Sequence, residues 1–363
     1  MSGFNPYFQE SNSIKSQLDL IDASLDWLKE LQLPETAAQD LFKKKAVLST
    51  YYEAQLRDTP LSLANIERLT SGNIELDDSH SQYKRLQAYH WSIEQIYYQP
   101  LEKLVTIEEL KELHSWSQYA QQATVPYRNG ASTIVNPLSK ELDYFPAEHS
   151  RINSYLMDWV EWMNEQISKQ KLHPVVIMAI AHYQWVHIQP YFDDFGCAES
   201  VARLMPYYLF KKIGVNSAFF CCFNEYWHTH YQESLKPLKI GSYGSYELDL
   251  NQINLTAWIE YYTRAISSTL ALSAIEVLQL SKSTGEHKKV VLKALDSKQR
   301  KVLGLFAKSR FVTTKEMADL LGVHRRTALN YCQEWLKQGF IISHGEALKS
   351  KKYELGSNYQ DLI

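Results

Sequence analysis

Apolar residues recur at helical spacing along most of the chain. Between residues 12 and 31, Ile14, Leu18, Ile21, Leu25 and Leu28 share one side of a predicted helix that stops before Pro34. A second helix is expected from Ala37 to about Leu56, and helices with loops from Thr59 to Gln99, broken at Ser71-Gly72-Asn73. Thr106 and Glu109 have capping-box spacing and open a helix with Leu110, Leu113, His114 and Trp116, in which His114 reads as a core or interface histidine. From Pro126 to Pro146 the texture changes: Gly130, the β-branched run Thr133-Ile134-Val135 and Pro137 suit a short hairpin. Ile152 to Ile167 is again a striped helix.

The densest apolar stretch runs from His173 to Gly214, as two helices joined by a polar, aromatic-rich loop. Val175 to His187 has no glycine or internal proline, and Pro174 sits where a first turn tolerates a missing N–H, so this helix should be buried. It ends at Gln189-Pro190, because proline disfavours helix at the preceding residue. A second helix restarts near Ala198 and passes Arg203 to Ile213. Further helices are expected over Asn224–Leu235 and Asn254–Leu280, with a Gly/Ser-rich turn between them, and a connecting segment over 281–295. After it come helices at Lys298–Lys308, from the Thr313/Glu316 capping box to Gly322, and at His324–Lys337, then strands at Phe340-Ile341-Ile342 and Lys352–Leu355 around a tip containing Gly345.

Composition adds less. With 45% hydrophobic and 22% charged residues over 363 positions, the chain is long enough for two domains with proper cores. Four cysteines without ligand spacing suit a reducing compartment, and the first residues lack the basic and apolar regions of a secretion signal. Nowhere do about 18 apolar residues run together, so we expect a cytoplasmic protein with no membrane partner. Charge does change the picture: the total of −3 hides a net +8 over residues 297–352, where 12 Lys and Arg face 4 Asp and Glu. Such a basic segment points to nucleic acid.

Two motifs carry chemistry. His182-Tyr183-Gln184-Trp185, followed by Pro190-Tyr191, and the helix from Arg203-Leu204 to Gly214 resemble the entry and exit of the Fic (Fido) motif, HPFx(D/E)GNGRxxR. The resemblance covers roughly residues 10 to 275 and implies a mostly α-helical, Fic-type core. It implies transfer of AMP from ATP to a protein hydroxyl, with a histidine as general base, an acid holding magnesium, and glycines and arginines cradling phosphate. On it Gln189 takes the histidine position, Asp193 the magnesium position, and Gly196 and Arg203 the nucleotide positions. Tyr127-Arg128 resembles the start of the target flap, expected over 126–146, beside which a protein target would dock. Ser49-Thr50-Tyr51-Tyr52-Glu53 resembles the inhibitory motif, (S/T)xxxE(G/N), whose glutamate pairs with the second motif arginine; Ala54 replaces Gly or Asn.

The loop over 187–203 departs from that pattern. Asp194, Phe195, Gly196, Cys197 and Ala198 do not spell GNGR. Without a gap Ser200 falls on the second arginine; with three extra loop residues Arg203 does, and the spacing to Gly214 favours this version. An amide has no titratable proton near neutrality, so Gln189 cannot be a general base, a role that contributes roughly 10²–10⁴-fold. The expected outcome is a degenerate site, reduced to nucleotide binding or to scaffold, with ATP and magnesium as the cofactors it would retain. The alternative is an active enzyme moving AMP or a related group to a Ser, Thr or Tyr hydroxyl, with Asp193 on the metal and Asp194, His187 or an external group as base.

Three helices followed by a hairpin, over 296–363, is winged helix-turn-helix architecture, and EMADLLGVHRRTALNYCQEWLKQGFI resembles that family. The resemblance implies DNA as partner. His324, Arg325, Arg326, Thr327 and Asn330 would face base edges and phosphates, and Lys349, Lys351 and Lys352 on the wing would meet the backbone. Paired half-sites would favour a homodimer. The chain is therefore expected to divide into a Fic-like domain over 1–280, a connection over 281–295 and a winged helix domain.

Overall fold

A computed structural model describes residues 4–31, 33–59, 61–74, 81–118, 125–135, 142–192, 197–250, 252–283, 286–344 and 351–363. The organising element is α7 (Pro174–Ile188), buried almost all round. Before it come α1 (Asn12–Glu30), α2 (Glu35–Leu56), α3 (Leu63–Thr70), α4 (Ser81–Tyr98), α5 (Ile107–Ser117), a two-stranded hairpin of β1 (Ile134–Val135) and β2 (Leu142–Tyr144), and α6 (Ile152–Lys169). After it come α8 (Cys197–Lys212), α9 (Phe223–Thr229), α10 (Tyr231–Lys239), α11 (Tyr246–Asp249), α12 (Thr256–Ser283) and α13 (Glu286–Ala294). The chain ends with α14 (Ser297–Phe306), β3 (Val312–Thr313), α15 (Thr314–Leu321), α16 (Arg325–Lys337), β4 (Ile341–His344) and β5 (Lys352–Leu355).

Local chemistry sets the boundaries of α7. The His173 ring nitrogen accepts from the Val175 amide, Pro174 fills the first turn, and Gln189 closes the helix in the left-handed region at φ 46°. Buried almost all round, with His182, Gln184 and His187 among its buried residues, it packs on protein on every side: α8 and α6 lie against it, and Trp258 of α12 donates its indole N–H to the Ala179 carbonyl at 2.7 Å. Helix α5 opens with the capping box expected from Thr106 and Glu109. Glu109 also receives Lys212 Nζ at 2.5 Å and the Tyr208 hydroxyl at 2.9 Å, tying α5 to α8.

The chain divides into two units, Met1–Lys29 with Glu35–Glu276, and Glu30–Pro34 with Val277–Ile363. In the second, α14 and α15 carry capping boxes at Asp296/Gln299 and Thr313/Glu316, and Gly322 ends α15 at φ 65°. Val302, Phe306, Met317, Cys332, Trp335 and Tyr353 pack its core. Gly356 is required there, because a Cβ would collide with the Gly339 carbonyl.

Two expectations need correction. The single helix over Asn224–Leu235 is two helices, interrupted at His230, so its apolar residues serve two faces. The C-terminal hairpin gains a third strand: Val312 and Thr313 pair antiparallel with Tyr353 and Lys352, giving the order β3-β5-β4.

Candidate functional site

Gln189 sits where α7 turns into the loop, and only 3% of it is exposed. Its amide oxygen accepts from Ser132 Oγ at 2.7 Å, beside the hairpin, and its carbonyl accepts from Arg128 Nε at 2.8 Å. The side chain is thus bonded and cannot take up a proton near neutrality. His187, the nearby imidazole, is stacked on Tyr183 at 3.7 Å and met edge-on by Tyr144 of β2 at 4.6 Å. Its Nδ1–H donates to the Tyr183 carbonyl at 2.8 Å, and burial pushes its pKa down to about 4. A base that weak accepts few protons at neutral pH.

The strongest electrostatic feature lies one helix away, where Glu53 of α2 is completely buried. Arg203 of α8 grips it in a fork, Nε to Oε2 at 2.7 Å and Nη2 to Oε1 at 3.0 Å. Arg57 Nε donates to Oε1 at 2.8 Å, Asn224 Nδ2 to Oε2 at 3.2 Å, and the Ser200 hydroxyl to Oε1. Burial alone would raise the carboxyl pKa, but Arg203 first and Arg57 second hold it down to about 2. Burial likewise pulls at Arg203, yet Glu53 beside it raises the guanidinium pKa. Glu199 completes the balance with Arg203 Nη1 at 3.0 Å, so two carboxylates face two guanidiniums.

The sequence reading pairs Glu53 with Arg203, and the structure brings them together; it also brings Ser200, the residue of the ungapped alignment, because 200 and 203 stand one turn apart on α8. Arg57 and Asn224 were not foreseen. The signal for Arg57 was its place four residues after Glu53, on the same face. Asn224 is brought in by the fold alone.

Beside Arg203 a cavity of about 50 Å³ is lined by His182, Glu199, Trp227, Tyr231 and Trp258. Small-ligand sites measure roughly 300–1,000 Å³. Two buried atoms of its lining residues, His182 Nδ1 and Trp227 Nε1, have no hydrogen-bond partner among the described residues. In this arrangement Arg203 is committed to Glu53. Asp193 and Gly196, the magnesium and glycine positions of the sequence reading, lie outside the described residues, and no metal-binding group of His, Cys, Asp and Glu occurs among the described ones.

Tyr127 and Arg128 stand at the foot of the hairpin. Arg128 is buried and spends its guanidinium on backbone: Nε on the Gln189 carbonyl, Nη1 on that of Gly130 at 2.7 Å, Nη2 on those of Ala147 and Ile188. It neutralises the C-terminal end of α7. Tyr127 lies 5.5 Å from Tyr191, which in turn stacks on His114 at 3.6 Å. The hairpin pairs Ile134 with Tyr144, with an irregularity before Val135, and Val135 is half exposed.

In the second unit the first turn of α16 presents His324, Arg325 and Arg326 to solvent, with Asn330 exposed one turn on and Thr327 half-buried. His324 also caps the helix, its Nδ1 accepting from the Arg326 amide at 3.3 Å. Lys352 is exposed and Lys351 partly so; Lys349 lies outside the described residues.

No protein-family model and no curated protein matches the chain. Solved structures do. A Fic family protein from Desulfovibrio desulfuricans G20 is 13% identical, with 98% of this chain and 99% of that one covered at a TM-score of 0.57. A Fic domain containing signaling protein from Bacteroides thetaiotaomicron VPI-5482 is 19% identical over 73% of this chain and 98% of that one, TM-score 0.60. Fic-1 from C. elegans, residues 134–508, is 16% identical over 74% of each chain, TM-score 0.54. The protein therefore has a mostly α-helical Fic-type fold with a small β flap. No helix among the described residues is long and apolar enough to cross a membrane.

Proposed function

We propose that the protein is a DNA-binding regulator on a Fic fold, with an inactive AMP-transfer site and a C-terminal winged helix-turn-helix as reader. The observation that carries this reading is the pair Arg325 and Arg326. Both are exposed on the first turn of α16, and neither forms an ion pair with any described residue. Long cations left free at the start of an exposed helix, in a segment of net charge +8, suit phosphates and the major groove. Loss of transfer chemistry is supported by the amide at 189 and by a Glu53 network that occupies Arg203. The same network makes the pair a structural link rather than a releasable lock. Selection of genomic fragments by the full-length protein tests the reading. Enrichment of a discrete set, lost in the Arg325→Ala/Arg326→Ala variant, is expected; equal recovery by both proteins would overturn it.

A further inference from the structure

At the end of α7 opposite Gln189, roughly 20 Å away along the helix, the first unit holds a cavity of about 560 Å³. Most of its wall is apolar: Ile167 of α6, Leu172 of the connection, Ile177 and Met178 of α7, Leu209 of α8 and Ile213 just past it. Among the residues lining it, the only aromatic ring is the His173 imidazole, already tied to the Val175 amide and to Asp22 at 3.1 Å. The first-turn amides of Val176 and Ile177 are likewise bonded to the His173 carbonyl, so the helix end offers no free donors. Lys171 is paired with Glu165 at 3.3 Å.

Three polar groups remain, of which Gln170, just past the end of α6, is exposed. Gln166 is 8% exposed, and its amide makes no hydrogen bond to a described residue. Lys103 is exposed at the rim without an ion-pair partner among the described residues. Its loop is pinned: Asn164 of α6 bonds both the N–H and the carbonyl of Val105 at 2.8 Å, and Lys212 donates to the Leu104 carbonyl at 2.6 Å. The backbone next to Lys103 is therefore held against α6, the helix that carries Gln166.

A cavity walled mainly by apolar side chains favours an apolar ligand body, and one unpaired ammonium beside the Gln166 and Gln170 amides matches a single negative charge. A phosphate would call for more donors than these. We propose that the cavity binds a carboxylate carried on an apolar chain, for which decanoate is the probe. Its chain lies against Ile177, Met178 and Leu209, and its carboxylate accepts from Lys103 and from the Gln166 amide. The site is separate from the Glu53 network and from the DNA reading, and stands without either.

Calorimetric titration of the full-length protein with decanoate, below its micelle concentration, tests this. Saturation at one per chain is expected, with decanol, equally long but neutral, binding about tenfold more weakly. Lys103→Glu lies on an exposed loop, so the fold is kept; it should weaken decanoate by about tenfold or more and leave decanol unchanged. Leu172→Trp, which fills the cavity from its mouth, should abolish binding of both. Absence of saturable binding overturns the proposal, as does decanoate binding that ignores both variants. Equal affinity for decanol and decanoate, unaffected by Lys103→Glu, would show an apolar hole without head-group recognition and overturns it equally.

Discussion

Gln189 and Glu53 pull the site in the same direction. The amide at 189 can neither accept a substrate proton nor leave its place easily, since it is buried and bonded to Ser132. With labelled ATP and magnesium we expect no self-labelling above a heat-treated control. Gln189→His should restore little, because Arg203 remains occupied; strong labelling by that variant would show an intact phosphate site. Glu53 gives a sharper test, since removing it frees Arg203 and would switch on an enzyme held only by this contact. We expect instead that Glu53→Ala stays silent in labelling and loses about 3–5 kcal/mol of stability in denaturant unfolding, because Arg57 loses its buried carboxylate and Arg203 keeps only the partly exposed Glu199. Arg57→Ala should cost less, as the fork from Arg203 persists. Labelling by Glu53→Ala without loss of stability would reverse the assignment.

The helices make the second scale legible. Capping residues are local, so Thr106/Glu109, Thr313/Glu316 and Gly322 could be read directly, and the ends of α7 followed from Pro174 and Pro190. What a pattern of apolar spacing does not carry is the third dimension. It says that α2 and α8 are helices but not that Asn224 meets Glu53 across the core, nor that Val312-Thr313 joins β5. Gapped and ungapped alignments of the loop also converge, because helical periodicity places Ser200 and Arg203 on one face. If α16 enters the major groove, Arg325→Ala and Arg326→Ala should each weaken specific binding by roughly 1–3 kcal/mol where the arginine reads a base. Replacing Lys351 or Lys352, flanking the start of β5, should act differently. Affinity should fall about equally for all sequences and the dependence on salt should flatten, as phosphate contacts and released counterions are lost. Fluorescence anisotropy on specific and random duplexes across a salt series separates the two; identical profiles for both sets would contradict the division between helix and wing.

At the scale of the whole first unit, histidine burial sets a limit on its stability in acid. His90, His114 and His187 are pushed down from the ordinary 6.5 to about 4, and His182 to about 3, in each case by burial before any other cause. Arg203 and His187 add to the effect at His182. A depressed histidine is neutral in the folded protein and charged in the unfolded chain once pH falls below 6.5. Its contribution is thus complete above that value and is lost progressively as pH drops towards 4. Each group adds up to about 1.4 kcal/mol per pH unit, so the four together approach roughly 5 kcal/mol per unit near pH 5.5. A folded domain commands only about 5–15 kcal/mol in total. Glu53 acts in a lower window: with its pKa held at about 2 against 4.5 unfolded, its contribution is present above 4.5 and fades between 4.5 and 2. The histidines should therefore unfold the unit before the Glu53 network can titrate. The expected result is a level urea midpoint above pH 6.5, a steep fall from pH 6.5 to 5.5, and loss of near-ultraviolet circular dichroism from the buried Trp159, Trp185 and Trp258 by about pH 5. A midpoint constant over that interval, or a transition that begins only below pH 4.5, would show that the carboxylate network and not the buried imidazoles governs acid unfolding.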